Sequence, residues 1–225
     1  RDAGAVGVAL TYVNAWPFDD RGYNDLPDMA TRATVFDRAL TRMAALAPDN
    51  IVIACNTLSI VYGSTAFCRA PGVPVRGIVD AGVSLFHEAL AADPASAIVL
   101  LGTKTTIDSG THRDELVRRG IAPTRIGAVS CHGLAGAIER DPDGSPVAEL
   151  LEICTNRACE AQPPGGTLLV GLCCTHYGYV ADRITDAGSL DDFHRCDLDT
   201  VWNVEMRGSF QSWVKEKLQT IGLDN

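Results

Sequence analysis

Short apolar runs alternate with longer amphipathic stretches along most of the chain. The runs cover residues 8–12, 51–54, 75–79, 97–101, 126–129 and 168–172, and they are rich in Val, Ile and Leu. Most are apolar at successive rather than alternate positions, the pattern of strands buried on both faces of a parallel sheet. Between them the period changes. Residues 27–47 carry Met29, Ala33, Phe36, Leu40, Met43 and Leu46 at helical spacings of three and four. Residues 80–91 repeat the pattern with Ala81, Leu85, Ala89 and Leu90, opened by Asp80 as the expected N-cap. Residues 105–119 and 147–160 read as further helices, and Val204, Phe210, Trp213, Val214 and Leu218 predict a last amphipathic one. Turn clusters at 141–146 and 162–166 punctuate the second half. Strand and helix in regular alternation predict a doubly wound α/β fold with parallel strands and right-handed crossovers.

Composition narrows the function classes. The 225 residues are 46% hydrophobic, which excludes a disordered chain and suits one large α/β domain or two small ones. No apolar run approaches the roughly 20 residues that a spanning helix needs. A net charge of -9, with no Lys/Arg cluster, argues against nucleic acid and anionic membrane surfaces as partners. The eight cysteines form no pair of CxxC motifs and no Cys/His set at zinc spacing, so no metal site is expected. A chain this long and apolar is unlike a disulfide scaffold, and no targeting stretch is visible. The expectation is a reduced, cytoplasmic protein.

Two segments echo each other. Ile51-Val52-Ile53-Ala54-Cys55-Asn56-Thr57 and Leu169-Val170-Gly171-Leu172-Cys173-Cys174-Thr175-His176 are apolar strands that end in cysteine and run through threonine into helical sequence. Open α/β sheets bind ligands beyond the carboxyl ends of their strands, so both cysteines fall where chemistry is expected. The echo predicts two pseudo-equivalent doubly wound parallel-sheet domains, residues 1–94 with 189–225 and residues 95–188, with the active site in the cleft between them. A cysteine ahead of a helix N-terminus meets the positive end of the helix dipole, which favours the thiolate. Thiols on opposite sides of a small carboxylate suit one reaction. One thiolate removes the proton alpha to the carboxylate, the other thiol returns a proton to the opposite face, and configuration inverts.

At these residues the chain resembles the aspartate/glutamate racemase superfamily. Ala54-Cys55-Asn56-Thr57 with Leu58-Ser59, and Cys174-Thr175-His176-Tyr177, are similar to its two signature motifs, the Cys-Thr-His form being nearest to glutamate racemase. Gly72-Val73-Pro74-Val75-Arg76-Gly77-Ile78 resembles the loop and strand between them, and Gly102-Thr103-Lys104-Thr105-Thr106-Ile107 with Ser109 resembles a Gly-Thr-x-x-Thr-Ile-x-Ser segment. The resemblance implies that Cys55 and Cys174 are paired acid/base thiols, with His176 assisting Cys174 and Glu139 on that same side. It implies that Asn56, Thr57, Thr103, Thr175 and His176 hold the substrate's amino and carboxylate groups. Gly22-Tyr23-Asn24 stands where the family has Pro-Tyr-Gly, making Tyr23 a further substrate contact. Asp2-Ala3-Gly4 is a partial match to an Asp-Ser-Gly loop, and Gly178 replaces a proline. The implied activity is cofactor-independent racemisation of glutamate or aspartate, a small acidic amino acid, in a protein that could be a homodimer. Glutamate racemisation would supply D-glutamate for cell-wall synthesis, or a specialised paralogue could serve another purpose. Related chemistries of the superfamily, hydantoin racemisation and maleate isomerisation, stay open, as does a binding homologue without catalysis.

Overall fold

A computed structural model describes residues 9, 11–18, 21–164 and 166–186. The chain divides into two compact units, Ala15–Cys196 and a second made of Arg1–Asn14 with Asp197–Asn225. Of the second unit only Ala9 and residues 11–14 are described, so the helix expected at 204–218 lies outside the described residues, as do Asp2 and Cys196. Of the strand expected at 8–12, the described Ala9, Thr11 and Tyr12 pair with no other strand, and Tyr12 is 79% exposed.

The unit Ala15–Cys196 holds two parallel sheets. A short 3₁₀ turn, Tyr23–Asp25, leads into helix α1, Met29–Ala44. The Asp28 carboxylate caps α1 by accepting the Thr31 N–H at 2.7 Å, and the helix buries Ala33, Phe36 and Leu40 at the predicted spacing. Strand β1, Ile51–Ile53, is followed by helices α2, Asn56–Tyr62, and α3, Ala66–Arg69, and by strand β2, Val75–Gly77. β1 and β2 pair in parallel, Ile51 opposite Val75 and Ile53 opposite Gly77. Tyr23, Leu26, Phe36, Leu40, Ile51, Ile53, Val61 and Val73 form the core beneath this sheet.

Helix α4, Val79–Ala92, crosses to the second sheet. There β3, Ala97–Gly102, lies between β4, Ile126–Ser130, and β5, Leu168–Cys173, all parallel. Helices α5, Lys104–Asp108, and α6, Thr111–Arg118, connect β3 to β4. Helices α7, Leu134–Arg140, and α8, Ser145–Glu160, connect β4 to β5. A 3₁₀ turn, Thr175–Val180, and helix α9, Ala181–Asp186, follow β5. No helix among the described residues is long and apolar enough to cross a membrane.

The central strand β3 is buried along its whole length, as a strand covered on both faces must be. The first sheet departs from that expectation: Val52 is 47% exposed, because a two-stranded sheet is covered on one face only among the described residues. Asp80 does not cap α4. The N-cap position falls two residues earlier, at Ile78, and the Asp80 carboxylate instead pairs with Arg119 at 2.7 Å. The single helix expected at 105–119 is two, broken at Ser109-Gly110, where Gly110 takes φ +68. That left-handed conformation is open to glycine at little cost and turns the chain between α5 and α6.

Candidate active site

The two thiols occupy matching backbone positions. Cys55 is the N-cap of α2 with φ -150 and ψ 127, and Cys174 is the N-cap of the following 3₁₀ turn with φ -151 and ψ 126. Each sulfur meets the backbone N–H groups two and three residues on, those of Thr57 and Leu58 for Cys55 and of His176 and Tyr177 for Cys174. The expected fall in thiol pKa is not the net result. Burial pushes Cys55 up, against the pull of its two N–H groups. Burial first, and then a negative charge on Cys55, likewise push Cys174 up to about 12. Desolvation of a thiolate outweighs the attraction of a helix start when the helix is short. A negative charge on Cys55 thus makes ionisation of Cys174 harder still.

The surroundings of the thiols differ. His176 Nδ1 lies 3.9 Å from Cys174 Sγ, and its Nε2 lies 2.8 Å from Glu139 Oε2. These three residues come together as expected, with Glu139 on α7 reaching across to the turn after β5. On the Cys55 side, Ser59 Oγ donates to the Cys55 carbonyl at 2.7 Å and accepts the Ile78 N–H at 3.1 Å. A Cβ on Gly77 would come within 2.6 Å of that hydroxyl, so glycine is what lets Ser59 tie the ends of β1 and β2 together.

Asn56 and Thr57 are both buried. Thr57 Oγ1 lies 2.9 Å from Thr103 Oγ1 and 3.3 Å from Thr106 Oγ1, and those two lie 3.0 Å apart. This ring of hydroxyls joins α2, at the end of the first sheet, to α5, at the end of the second. Each hydroxyl has one hydrogen, so a closed ring uses all three internally and an entering carboxylate must break one of those bonds. Thr175 is half-buried at the start of its turn. Tyr23 is buried edge-on against Phe36, ring centres 5.9 Å apart. Burial, then the Cys55 charge, raises its hydroxyl to about 12, which puts Tyr23 within electrostatic reach of that thiol.

Four contributors were not foreseen. Arg32 donates to the carbonyls of Tyr23 at 2.8 Å and Leu26 at 2.7 Å, fixing the Tyr23 loop. Thr106 completes the hydroxyl ring. Tyr177, fully buried, donates to the Cys131 carbonyl at 3.2 Å beneath Cys174. His112 is 3% exposed, and its Nε2 lies 3.0 Å from Asn56 Oδ1. Burial lowers the His112 pKa to about 4, so the ring is neutral near pH 7. The available signal was a histidine four residues before Leu116, on the apolar face of the 105–119 pattern. A groove of about 560 Å³ elsewhere on the surface is lined by Ser59, Asp80, Asp114 and Arg118 among others, and by neither thiol.

Two parallel sheets, each with a cysteine just beyond the carboxyl end of a strand, make an α/β scaffold of the kind that carries ligands at its strand ends. Residues 6–189 match the family described as Asp/Glu/Hydantoin racemase, and the chain belongs to that family. It is 29% identical over 143 residues to glutamate racemase of Persephonella marina, an overlap of 60% of this chain and 49% of that one. Among solved structures it is similar to a glutamate racemase isoform of Bacillus anthracis, with a TM-score of 0.65 and 19% identity over 92% of this chain and 71% of that one. It is also similar to the Francisella tularensis glutamate racemase solved with D-glutamate, with a TM-score of 0.62 and 19% identity over 88% and 69% of the two chains. The chain spans about half the length of the first of these relatives.

Proposed function

We propose that this protein is a cofactor-independent racemase of glutamate, with aspartate as the second choice, working through Cys55 and Cys174. The observation that carries the reading is the matched pair of strand-end thiols, equal in backbone geometry and electrically coupled. Family membership and the glutamate racemase named among its relatives support the substrate class. The same reading takes residues 1–94 with 189–225 as one half and 95–188 as the other, and the order of β1 and β2 before residue 94 and β3, β4 and β5 after it supports that.

The reaction balances without an external acid or base. A thiolate on one side takes the alpha proton and becomes a thiol, leaving a carbanion next to the carboxylate. The opposite thiol gives its proton to the other face of that carbon and becomes the thiolate. Glu139 accepts the Nε2–H of a neutral His176, which leaves the Nδ1 lone pair facing Cys174 Sγ to draw off its proton. On the other side, the Thr57 and Leu58 N–H groups stabilise a Cys55 thiolate. An alpha proton is weakly acidic, so orientation and fixed hydrogen-bond donors have to supply most of the rate.

The test is circular dichroism of L-glutamate and D-glutamate, each incubated with the purified protein in deuterated buffer. Loss of optical activity from both enantiomers, with deuterium entering at the alpha carbon, is the expected result. Persistence of both enantiomers without exchange, for glutamate and aspartate alike, would overturn the reading.

A further inference from the structure

The geometry points to His112 as a positioning residue that locks the carboxamide of Asn56 in one of its two orientations. Asn56 follows Cys55 directly and opens α2, while His112 comes from the first turn of α6, 56 positions away. Its placement depends on the break at Gly110, which starts α6 afresh, and on Ser109 Oγ, which accepts the Thr111 N–H at 3.2 Å. Both partners are sealed from water, Asn56 being 5% exposed.

A carboxamide has an accepting oxygen on one edge and two N–H donors on the other. A neutral imidazole has one N–H and one bare nitrogen. Because Asn56 Oδ1 faces Nε2, the proton sits on Nε2 and Nδ1 is the bare nitrogen. The burial pattern agrees. His112 Nδ1 is buried with no hydrogen-bond partner, and a bare acceptor is less costly to leave unmatched than an N–H. With its oxygen committed to His112, Asn56 keeps its NH2 edge for a ligand beside Cys55. A carboxylate only accepts hydrogen bonds, so the flipped carboxamide would set oxygen against oxygen. His112 thereby makes this corner a donor site for an anion, in a chain whose net charge of -9 gives no help.

The inference rests on the reading that Asn56 contacts the substrate. Its first test does not depend on activity. In the wild-type protein, ¹⁵N-labelled histidine should show His112 as the Nε2–H tautomer, and an Nδ1–H tautomer would overturn the lock. The second test is kinetic. Removing the lock with His112→Ala should raise KM for glutamate about tenfold, the worth of one such hydrogen bond, with kcat changed far less. His112→Gln, whose amide can still donate to Asn56 Oδ1, should recover most of that loss and guards against a folding failure of the alanine variant. Asn56→Ala should match His112→Ala, and the double variant should be no worse than Asn56→Ala alone. An unchanged KM in His112→Ala, or losses that multiply in the double variant, would refute the positioning role. If the wild-type protein racemises neither acid, the racemase reading has failed while the tautomer still decides the lock.

Discussion

The two thiol sites share a backbone and differ in what stands behind it. Cys55 and Cys174 agree within a degree in φ and ψ, and both sulfurs meet N–H groups of the next turn. Behind Cys174 stands an open pair, His176 with a Glu139 whose side chain is 57% exposed. Around Cys55 the support is sealed: Asn56 on a neutral His112, and Ser59 bridging two strand ends. A shared strand-to-turn geometry can thus serve two jobs. On the open side an imidazole and a carboxylate that water reaches stand by the sulfur, whereas the sealed side, among the described residues, offers fixed donors and a histidine that is neutral near pH 7. The backbone at the two cysteines is alike, while the groups behind them are not.

Removing either sulfur is the hardest blow to that comparison. Cys55→Ala and Cys174→Ala should each lower racemisation by at least about 10³-fold, because loss of one acid/base stops the half of the reaction its partner cannot perform. Cys55→Ser and Cys174→Ser should fail almost as badly, since an alcohol is a far poorer base near neutral pH. Circular dichroism with both glutamate enantiomers measures this directly. Near-normal rates in one of the alanine variants would show that the matched backbones do not mean matched roles.

The sealed histidine has its own signature in stability. Burial holds His112 at about 4 in the folded protein, below its ordinary 6.5. Between those values the unfolded chain binds a proton that the folded one refuses, so stability falls as pH drops from 6.5 to 4. The full shift corresponds to about 3 kcal/mol. Urea unfolding across this range should show the decline in wild type, and His112→Gln should flatten it. Glu115, held down to about 2 from its ordinary 4.5 by its hydrogen bonds with Arg118 and Arg119, acts mostly below this window and overlaps only its acid end. A His112→Gln profile that keeps the wild-type slope would show that the histidine is not sealed.

Much of this contrast was legible in the sequence on one side only. Cys55, Cys174 and His176 were legible because a strand-end motif is local: residues two apart in sequence end up on one turn, whereas Glu139, 37 positions from His176, was reached only through the family resemblance. His176 meets Cys174 through such spacing alone. The strands at 51, 75, 97, 126 and 168 were likewise plain from continuous apolar runs. What could not be seen was long-range. His112 meets Asn56 across 56 positions, and Thr57 meets Thr106 across 49, through contacts that only the packing of α2 against α5 and α6 creates. The break at Gly110 hid this, since apolar spacing ran unbroken through residues 105–119 and read as one helix. Thiol pKa was misjudged for a related reason: the sequence displays the helix start but not the depth of burial that outweighs it.

The hydroxyl ring is one of the places where the two halves touch chemically, and Thr57→Val asks how much it contributes. Valine keeps the shape and removes the Thr57 hydroxyl, while Thr103 and Thr106 keep their 3.0 Å contact. No group is wholly stranded, so the cost should be near that of ordinary hydrogen bonds, about 1 kcal/mol in urea unfolding. A single transition shifted by that amount would mean that the ring couples both sheets. An unchanged midpoint would mean that the ring adds nothing to the other contacts that hold them together.

The smallest effect is expected at Glu139. Its bond to His176 is short, but water reaches the carboxylate, and exposed pairs of this kind contribute roughly 0–1 kcal/mol. Glu139→Gln leaves an amide oxygen to accept the Nε2–H, so the tautomer that points Nδ1 at Cys174 survives and only the charge is lost. The variant should therefore racemise roughly twofold to fivefold more slowly. Glu139→Ala should do worse, because Nε2 then has no fixed acceptor and His176 can present an N–H to the sulfur instead of a lone pair. Equal losses in the two variants would mean that Glu139 acts through its charge rather than by orienting the imidazole. The open side would then be tuned by electrostatics, in contrast to the hydrogen-bonded lock on the sealed one.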